Sequence, residues 1–245
     1  MRIWIVPILS LVSSSILSQN LQLHYDFRYT VDPVHNASNF PTLYFEYFKS
    51  QDSGRAFIKP GSFLFKMQAD LYGTNNNIGK FFMQVSQTLR LWKPKVFLAL
   101  QYSGGMGIAE PRQYSYYISN AFGIGASYPF TWKGAWFNAM LLYNYNSFAK
   151  PSHDVLYSFY WGKGFRHYKF EFAGDAEIYT LNKNQGDDYT KNLHGKWFCF
   201  FAEPQFWYNL SKGLALGSKI NLFYHVLSFS DLFQVCPTAA VKWKL

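Results

Sequence analysis

The chain has 245 residues, 49% hydrophobic and 21% aromatic but only 15% charged, with a formal net charge of +9. Its mean hydropathy of -0.14 excludes a bundle of membrane helices, each of which needs about 20 mostly apolar residues in a row. Its 25 Phe, 19 Tyr and 8 Trp exclude a disordered chain, which would be poor in aromatics.

Residues 1–18 read as a secretory signal peptide. Arg2 supplies the positive start, Ile3 to Leu17 is an uncharged and largely apolar run, and small Ser18 precedes a cleavage ahead of Gln19. Residues 19–245 then form one domain. Loss of Arg2 takes the formal charge from +9 to +8. An exported chain rarely meets nucleic acid, so none is expected as a partner. The basic excess points to anionic lipid head groups or an anionic solute.

From residue 20 onward the pattern is period two, the signature of strands, whose alternate residues face opposite sides. In the first segment, Leu21, Leu23, Tyr25, Phe27 and Tyr29 alternate with Gln22, His24, Asp26 and Arg28. Further on, Phe63, Phe65, Met67 and Ala69 alternate with Lys66, Gln68 and Asp70, and Phe170, Phe172 and Ile178 alternate with Lys169, Glu171, Asp175 and Glu177. The periodicity predicts twelve strands, near 20–29, 42–49, 62–72, 80–91, 95–103, 117–129, 135–147, 154–162, 167–179, 197–209, 214–226 and 233–245.

The connections alternate in length. Segments 30–41, 73–79, 104–116, 148–153, 180–196 and 227–232 are polar loops. Trp92–Lys95, Thr131–Gly134, Gly162–Gly164 and Leu210–Gly213 are tight turns, with the longer stretch from Ser50 to Gly61 the exception. An even strand number, short turns on one side and long loops on the other describe a bacterial outer-membrane barrel with short periplasmic turns. Trp92, Trp132, Trp136, Trp161, Trp207 and Trp243 all fall at strand ends on the short-turn side, where indoles favour the membrane–water boundary. Trp197 falls on the other side.

The fold class expected is therefore all-β, an antiparallel up-and-down transmembrane β-barrel of twelve strands. A soluble barrel would show the same alternation with its faces exchanged. The shortage of charge, the rim tryptophans and the even count favour the inverted form. Strands spaced by about 4.8 Å and tilted near 40° give a backbone diameter of roughly 24 Å.

Three stretches carry a family resemblance: Gln19-Asn20-Leu21-Gln22-Leu23-His24-Tyr25-Asp26-Phe27, Glu203-Pro204-Gln205-Phe206-Trp207-Tyr208-Asn209-Leu210, and Phe233-Gln234-Val235-Cys236-Pro237-Thr238-Ala239-Ala240-Val241-Lys242-Trp243. They resemble an uncharacterised, domain-of-unknown-function family of Gram-negative outer-membrane proteins, similar in architecture to the nucleoside-specific Tsx channels. The resemblance implies an outer-membrane barrel, and nucleoside transport only by analogy. The chain departs from many such barrels by ending in Leu245 rather than an aromatic residue, with Trp243 two positions earlier.

With polar faces inward, the lumen is expected to hold Asp26, Glu46, Asp70, Glu171, Asp175, Glu177 and Glu203 against Arg28, Lys66, Arg90, Lys169, Lys219, Lys242 and Lys244. Inward aromatics Tyr44, Phe82, Tyr160, Phe201 and Phe223 could stack on a flat ring. The function expected is a narrow channel selecting a small polar solute by charge and hydrogen bonding. The alternative is a non-conducting barrel with an occluded lumen that serves as a structural or surface-binding element through its outer loops, and the inward charges read equally well as salt bridges that brace a small barrel. His24, His167 and His225 fall on inward faces, but no spaced catalytic motif accompanies them, so no enzyme, cofactor or metal is expected. Cys199 and Cys236, on strands ten and twelve, are too far apart to bridge and read as small lumen residues.

Overall fold

The computed structural model describes residues 17–50, 59–73, 77–91, 95–109, 114–228 and 230–245. Most of the leader expected at 1–18 lies outside these residues, as do most of the 50–61 connection and Trp92. Thirteen antiparallel strand segments run in order: β1 (Leu17–Asp26), β2 (Phe40–Lys49), β3 (Lys59–Asp70), β4 (Lys80–Arg90), β5 (Phe97–Ala109), β6 (Tyr114–Trp132), β7 (Ala135–Asn146), β8 (Ser152–Phe165), β9 (Phe170–Asn182), β10 (Lys196–Ala202), β11 (Gln205–Asn209), β12 (Leu214–Tyr224) and β13 (Phe233–Lys244). A single helical turn, α1 (Arg28–Val31), follows β1.

β10 and β11 are two halves of one stave, because both pair with β9 on one side and β12 on the other. Between them, Pro204 has no N–H to give a ladder, and the bonding continues around it. Glu203 N donates to Asp175 O at 2.9 Å and Ile220 N donates to Pro204 O at 3.0 Å. Gly174 faces this break at φ 155°, and a Cβ there would lie 2.6 Å from the Glu203 carbonyl oxygen. Each stave pairs with the next, and β1 pairs with β13 from Asn20↔Lys244 to Asp26↔Thr238. The sheet is thus a closed twelve-stave barrel without a free edge, as a backbone in hydrocarbon requires.

The faces are inverted relative to a soluble protein. Along β1, Gln22 and His24 are 1% exposed while Leu23 and Tyr25 are 42% and 46% exposed. The same alternation runs through β7, β8 and β13. Apolar side chains therefore clothe the outside, and polar and ionic ones fill the inside. That arrangement is stable only where the outer medium is itself apolar, so the barrel spans a membrane.

β1 starts and β13 ends at one rim, here the termini rim, and the opposite end is the far rim. Connections on the termini rim are tight at 133–134, 166–169 and 210–213. At the first, Lys133 and Gly134 take φ 48° and 73°. This two-residue left-handed pair matches the twist of the flanking strands. On the far rim, the 183–195 loop is organised by its own bonds, Gln185 N to Thr190 Oγ1 at 3.0 Å and Asn184 Nδ2 to Lys191 O at 2.7 Å. It leans on the neighbouring loop through Lys150 N and Gln185 O, 2.9 Å apart.

All twelve expected staves are present, and their boundaries shift most instructively at three places. The first stops at Asp26 rather than residue 29, because the Asp26 carboxylate accepts from Arg28 N at 2.8 Å and turns the chain into α1. The expected loop 104–116 is mostly strand, with β5 reaching Ala109 and β6 starting at Tyr114. The bare backbone at Gly107 is covered by the Tyr116 ring. The expected turn at Gly162–Gly164 is the end of β8, and the chain reverses instead at Arg166, His167 and Tyr168, all with positive φ.

Candidate functional site

The lumen is crossed at mid-height by four ionisable side chains. Lys66 projects inward from β3 and Asp175 from β9; Glu203 comes from the break between β10 and β11, and Lys219 from β12. Lys66 Nζ donates to Asp175 and, at 2.8 Å, to Glu203 Oε1. Lys219 Nζ donates to Glu203 Oε2 at 3.0 Å and to Gln68 Oε1 at 3.3 Å. Glu203, beside the Pro204 break, lies between two lysines.

β3 and β9 stand six steps apart in either direction around the twelve staves, so the Lys66–Asp175 tie spans a diameter. Gln84 on β4 repeats the crossing, donating to Glu177 on β9 at 3.0 Å. Aromatic faces back the two ammonium groups. Lys219 Nζ lies 4.5 Å from the Tyr44 ring centroid and Lys66 Nζ 5.5 Å from that of Tyr160. All four charged groups of the bridge are buried, and two cations balance two anions. Burying single charges would cost several kcal/mol each, whereas a paired and hydrogen-bonded cluster offsets that cost.

Toward the far rim, the polar filling continues. His24 is held between Thr238 and Gln22 at 2.9 and 2.7 Å. Asp70 accepts from Thr42 and Gln68, each at 2.9 Å. Asp154 gathers Asn146, Thr180 and Lys196 at 2.8, 3.0 and 2.7 Å. Phe201 and Phe223 stack at 5.5 Å. Arg28, on α1 rather than a strand, closes the mouth by pairing with Asp26 at 2.8 Å and lying 4.6 Å over the Phe40 ring.

Toward the termini rim, the filling gives way to a cavity of about 540 Å³ beneath the bridge, with Lys66, Tyr160, Asp175, Trp136 and Trp207 in its wall. Below it Glu171 accepts from Lys242 at 2.9 Å, from Lys244, and from Asn209 at 2.8 Å. The Tyr160 hydroxyl is buried without a hydrogen-bond partner. Gly162 leaves part of the cavity wall bare, and a Cβ there would meet nothing within 4 Å.

The candidate residues divide by place. The mid-height layer brings together Tyr44, Glu46, Lys66, Tyr160, Asp175, Glu177, Glu203 and Lys219. Asp26, Asp70, Phe82, Phe201 and Phe223 lie on inward faces nearer the far rim, and Glu171 and Arg90 nearer the termini rim. Lys169 is not among them. It sits exposed in the 166–169 turn, its Nζ 4.6 Å from the Tyr208 ring centroid, because the strand begins only at Phe170. His167 is likewise exposed in that turn.

The tryptophans also need correction. Trp132 and Trp243 are exposed on the outer wall, and Trp161 packs outside between Phe159 and Phe172. Trp207, expected at the membrane boundary, is 0% exposed inside the lumen. Its indole N–H donates to Gln205 at 3.1 Å and Lys242 Nζ lies 4.4 Å from its ring centroid. Trp136 also faces inward, against Phe48 at 5.5 Å. Both lie toward the termini rim, but their side chains face the lumen rather than lipid. Trp207 shares the odd parity of Glu203 and Gln205, and that parity was the signal that could have found it.

Among the described residues no group of three His, Cys, Asp or Glu could hold a metal ion. Cys199 and Cys236 are both free and buried.

The family described as "Domain of unknown function (DUF5020)" matches residues 18–245. No curated protein matches the chain. Solved structures similar to it include the NanC porin, at 11% identity and a TM-score of 0.46, covering 93% of this chain and 100% of that one. LpxR from Salmonella typhimurium is similar at 9% identity and a TM-score of 0.43, covering 93% and 100%. The anion-selective porin from Comamonas acidovorans is similar at 8% identity and a TM-score of 0.41, covering 94% and 98%.

Proposed function

The chain belongs to the DUF5020 family, and from that premise we propose that it is an outer-membrane barrel of a Gram-negative bacterium, closed to ions in its resting state by the mid-height bridge. Residues 1–18 are its export leader and the termini rim faces the periplasm. The observation that carries this reading is the diametric tie of Lys66 to Asp175 and Glu203. An open pore would leave its charged walls facing water. Here the charges of the bridge face one another, and the rings of Tyr44 and Tyr160 stand against them.

Recording from the purified protein in planar bilayers tests it. Wild type is expected to show no unitary currents at any salt concentration. The Lys66→Ala/Asp175→Ala double variant removes one cation and one anion and leaves Glu203 with Lys219; it is expected to conduct. Steady unitary currents through the wild type would overturn the closed reading.

A second reading, a narrow channel for a small polar solute that opens by parting this bridge, is favoured by the cavity on the termini side. At about 540 Å³ it is of the size that holds a small ligand, and it ends at the groups that would have to move. A nucleoside is its occupant only by the Tsx analogy. Liposome swelling with small polar solutes, slow for wild type and faster with a solute that parts the bridge, would move the assignment to this reading.

A further inference from the structure

The outer wall beside the Lys133–Gly134 hairpin is paved with aromatic rings. Rings form a continuous ladder across it. Phe130 stacks on Phe137 at 5.1 Å, Phe137 on Phe159 at 5.7 Å, and Phe159 meets Trp161 at 6.1 Å. A groove of about 460 Å³ with an almost wholly apolar lining runs along this ladder, flanked by Trp132 and Phe165. It lies on the lipid-facing side, so an acyl chain is the natural filling.

One end of the groove carries positive charge. Lys133 Nζ lies 5.0 Å from the Trp132 ring centroid and Lys163 Nζ 5.1 Å from that of Phe165. Lys163 Nζ also donates to the Lys133 backbone carbonyl at 2.9 Å, which places its ammonium beside the hairpin that carries Lys133. Neither ammonium has a carboxylate within ion-pair distance among the described residues, and the one acid nearby in sequence, Glu171, faces the lumen. The Trp161 indole N–H, in the wall of the same groove, is buried without a partner. Apolar rings, two unneutralised cations and a spare donor at the depth of a head group match one ligand chemistry.

We propose that this groove is a binding site for an anionic phospholipid of the leaflet at the termini rim, its acyl chain against the ring ladder and its phosphate between Lys133 and Lys163. The site rests on the membrane-spanning reading but not on whether the lumen conducts.

Native mass spectrometry of the detergent-solubilised barrel, offered equal amounts of phosphatidylglycerol and phosphatidylcholine, tests it. Wild type is expected to retain one phosphatidylglycerol in preference. In Lys133→Asn/Lys163→Gln the preference should fall about thirtyfold, given roughly 1 kcal/mol for each of the two basic side chains near an anionic lipid. Asn keeps the left-handed backbone that Lys133 adopts. Lys212→Gln, in another turn of the same rim, should leave the preference unchanged. Equal retention of the two lipids by wild type, an unaltered preference in the double variant, or an equal loss in Lys212→Gln would overturn the site. A protein that never gains the heat-sensitive gel shift of a folded barrel would overturn the membrane-spanning reading itself, a separate result.

Discussion

Lysine does opposite things inside and outside this barrel. In the lumen, Lys66, Lys219, Lys242 and Lys244 each touch a carboxylate. On the outside of the termini rim, Lys133, Lys163, Arg166 and Lys169 each lie against an aromatic ring with no carboxylate in ion-pair distance among the described residues. The basic excess of the chain therefore does not make a positive pore. It resides where a bilayer surface would meet it. The turns 133–134, 166–169 and 210–213 contain Lys133, Arg166, Lys169 and Lys212 and no acid, whereas the far-rim loop 183–195 mixes Lys183 and Lys191 with Asp187 and Asp188. Inner cations are structural because they are neutralised; outer ones remain available.

The sharpest way to break this contrast is to remove one inner and one outer cation. Lys66→Ala leaves Asp175 buried without its partner, and should lower unfolding free energy in lipid vesicles by about 3–5 kcal/mol. Adding Asp175→Ala should restore at least half of that. Lys163→Ala on the outer wall should change the same measurement by less than about 1 kcal/mol. Equal losses inside and out would mean that the bridge adds no stability beyond its bulk.

The two classes of tryptophan offer a comparable test. Trp207→Ala should cost about 3–5 kcal/mol by opening a void in the packed lumen, and Trp132→Ala, on an exposed ring, no more than about 1 kcal/mol. A smaller effect is expected at Gly162, where added bulk enters open space. Gly162→Ala should leave the unfolding free energy in urea level or slightly raised, by at most about 1 kcal/mol. The smallest signal is chemical. Cys199 and Cys236, 0% and 1% exposed, should resist a membrane-impermeant maleimide in the folded barrel and label fully after denaturation.

The staves were legible because a strand between lipid and a polar lumen must alternate, and segments such as Leu21–Asp26 do so without exception. Height was legible too, since turns and aromatics mark the rims. Less visible was where local chemistry overrides the pattern. Asp26 captures the backbone of Arg28 and ends a strand that the alternation would have continued. Gly162 and Gly164 have turn composition, yet they are the inward positions of a strand whose outward ones are Trp161, Lys163 and Phe165. Parity marks the inward charges of the strands, though not the turn residue Lys169, and it says nothing of their pairing. No local signal joins Lys66 to residues 109 and 137 positions away; only closure of the sheet brings β3 opposite β9.

That same separation bears on how the molecule is built and lost. Neighbouring hairpins can zip without Lys66 meeting Asp175, and the two meet only after the sheet has curled fully round. Contacts absent from the transition state slow opening rather than speed formation. The diametric ion pair thus acts as a latch on the finished cylinder, lengthening its lifetime without hastening its birth.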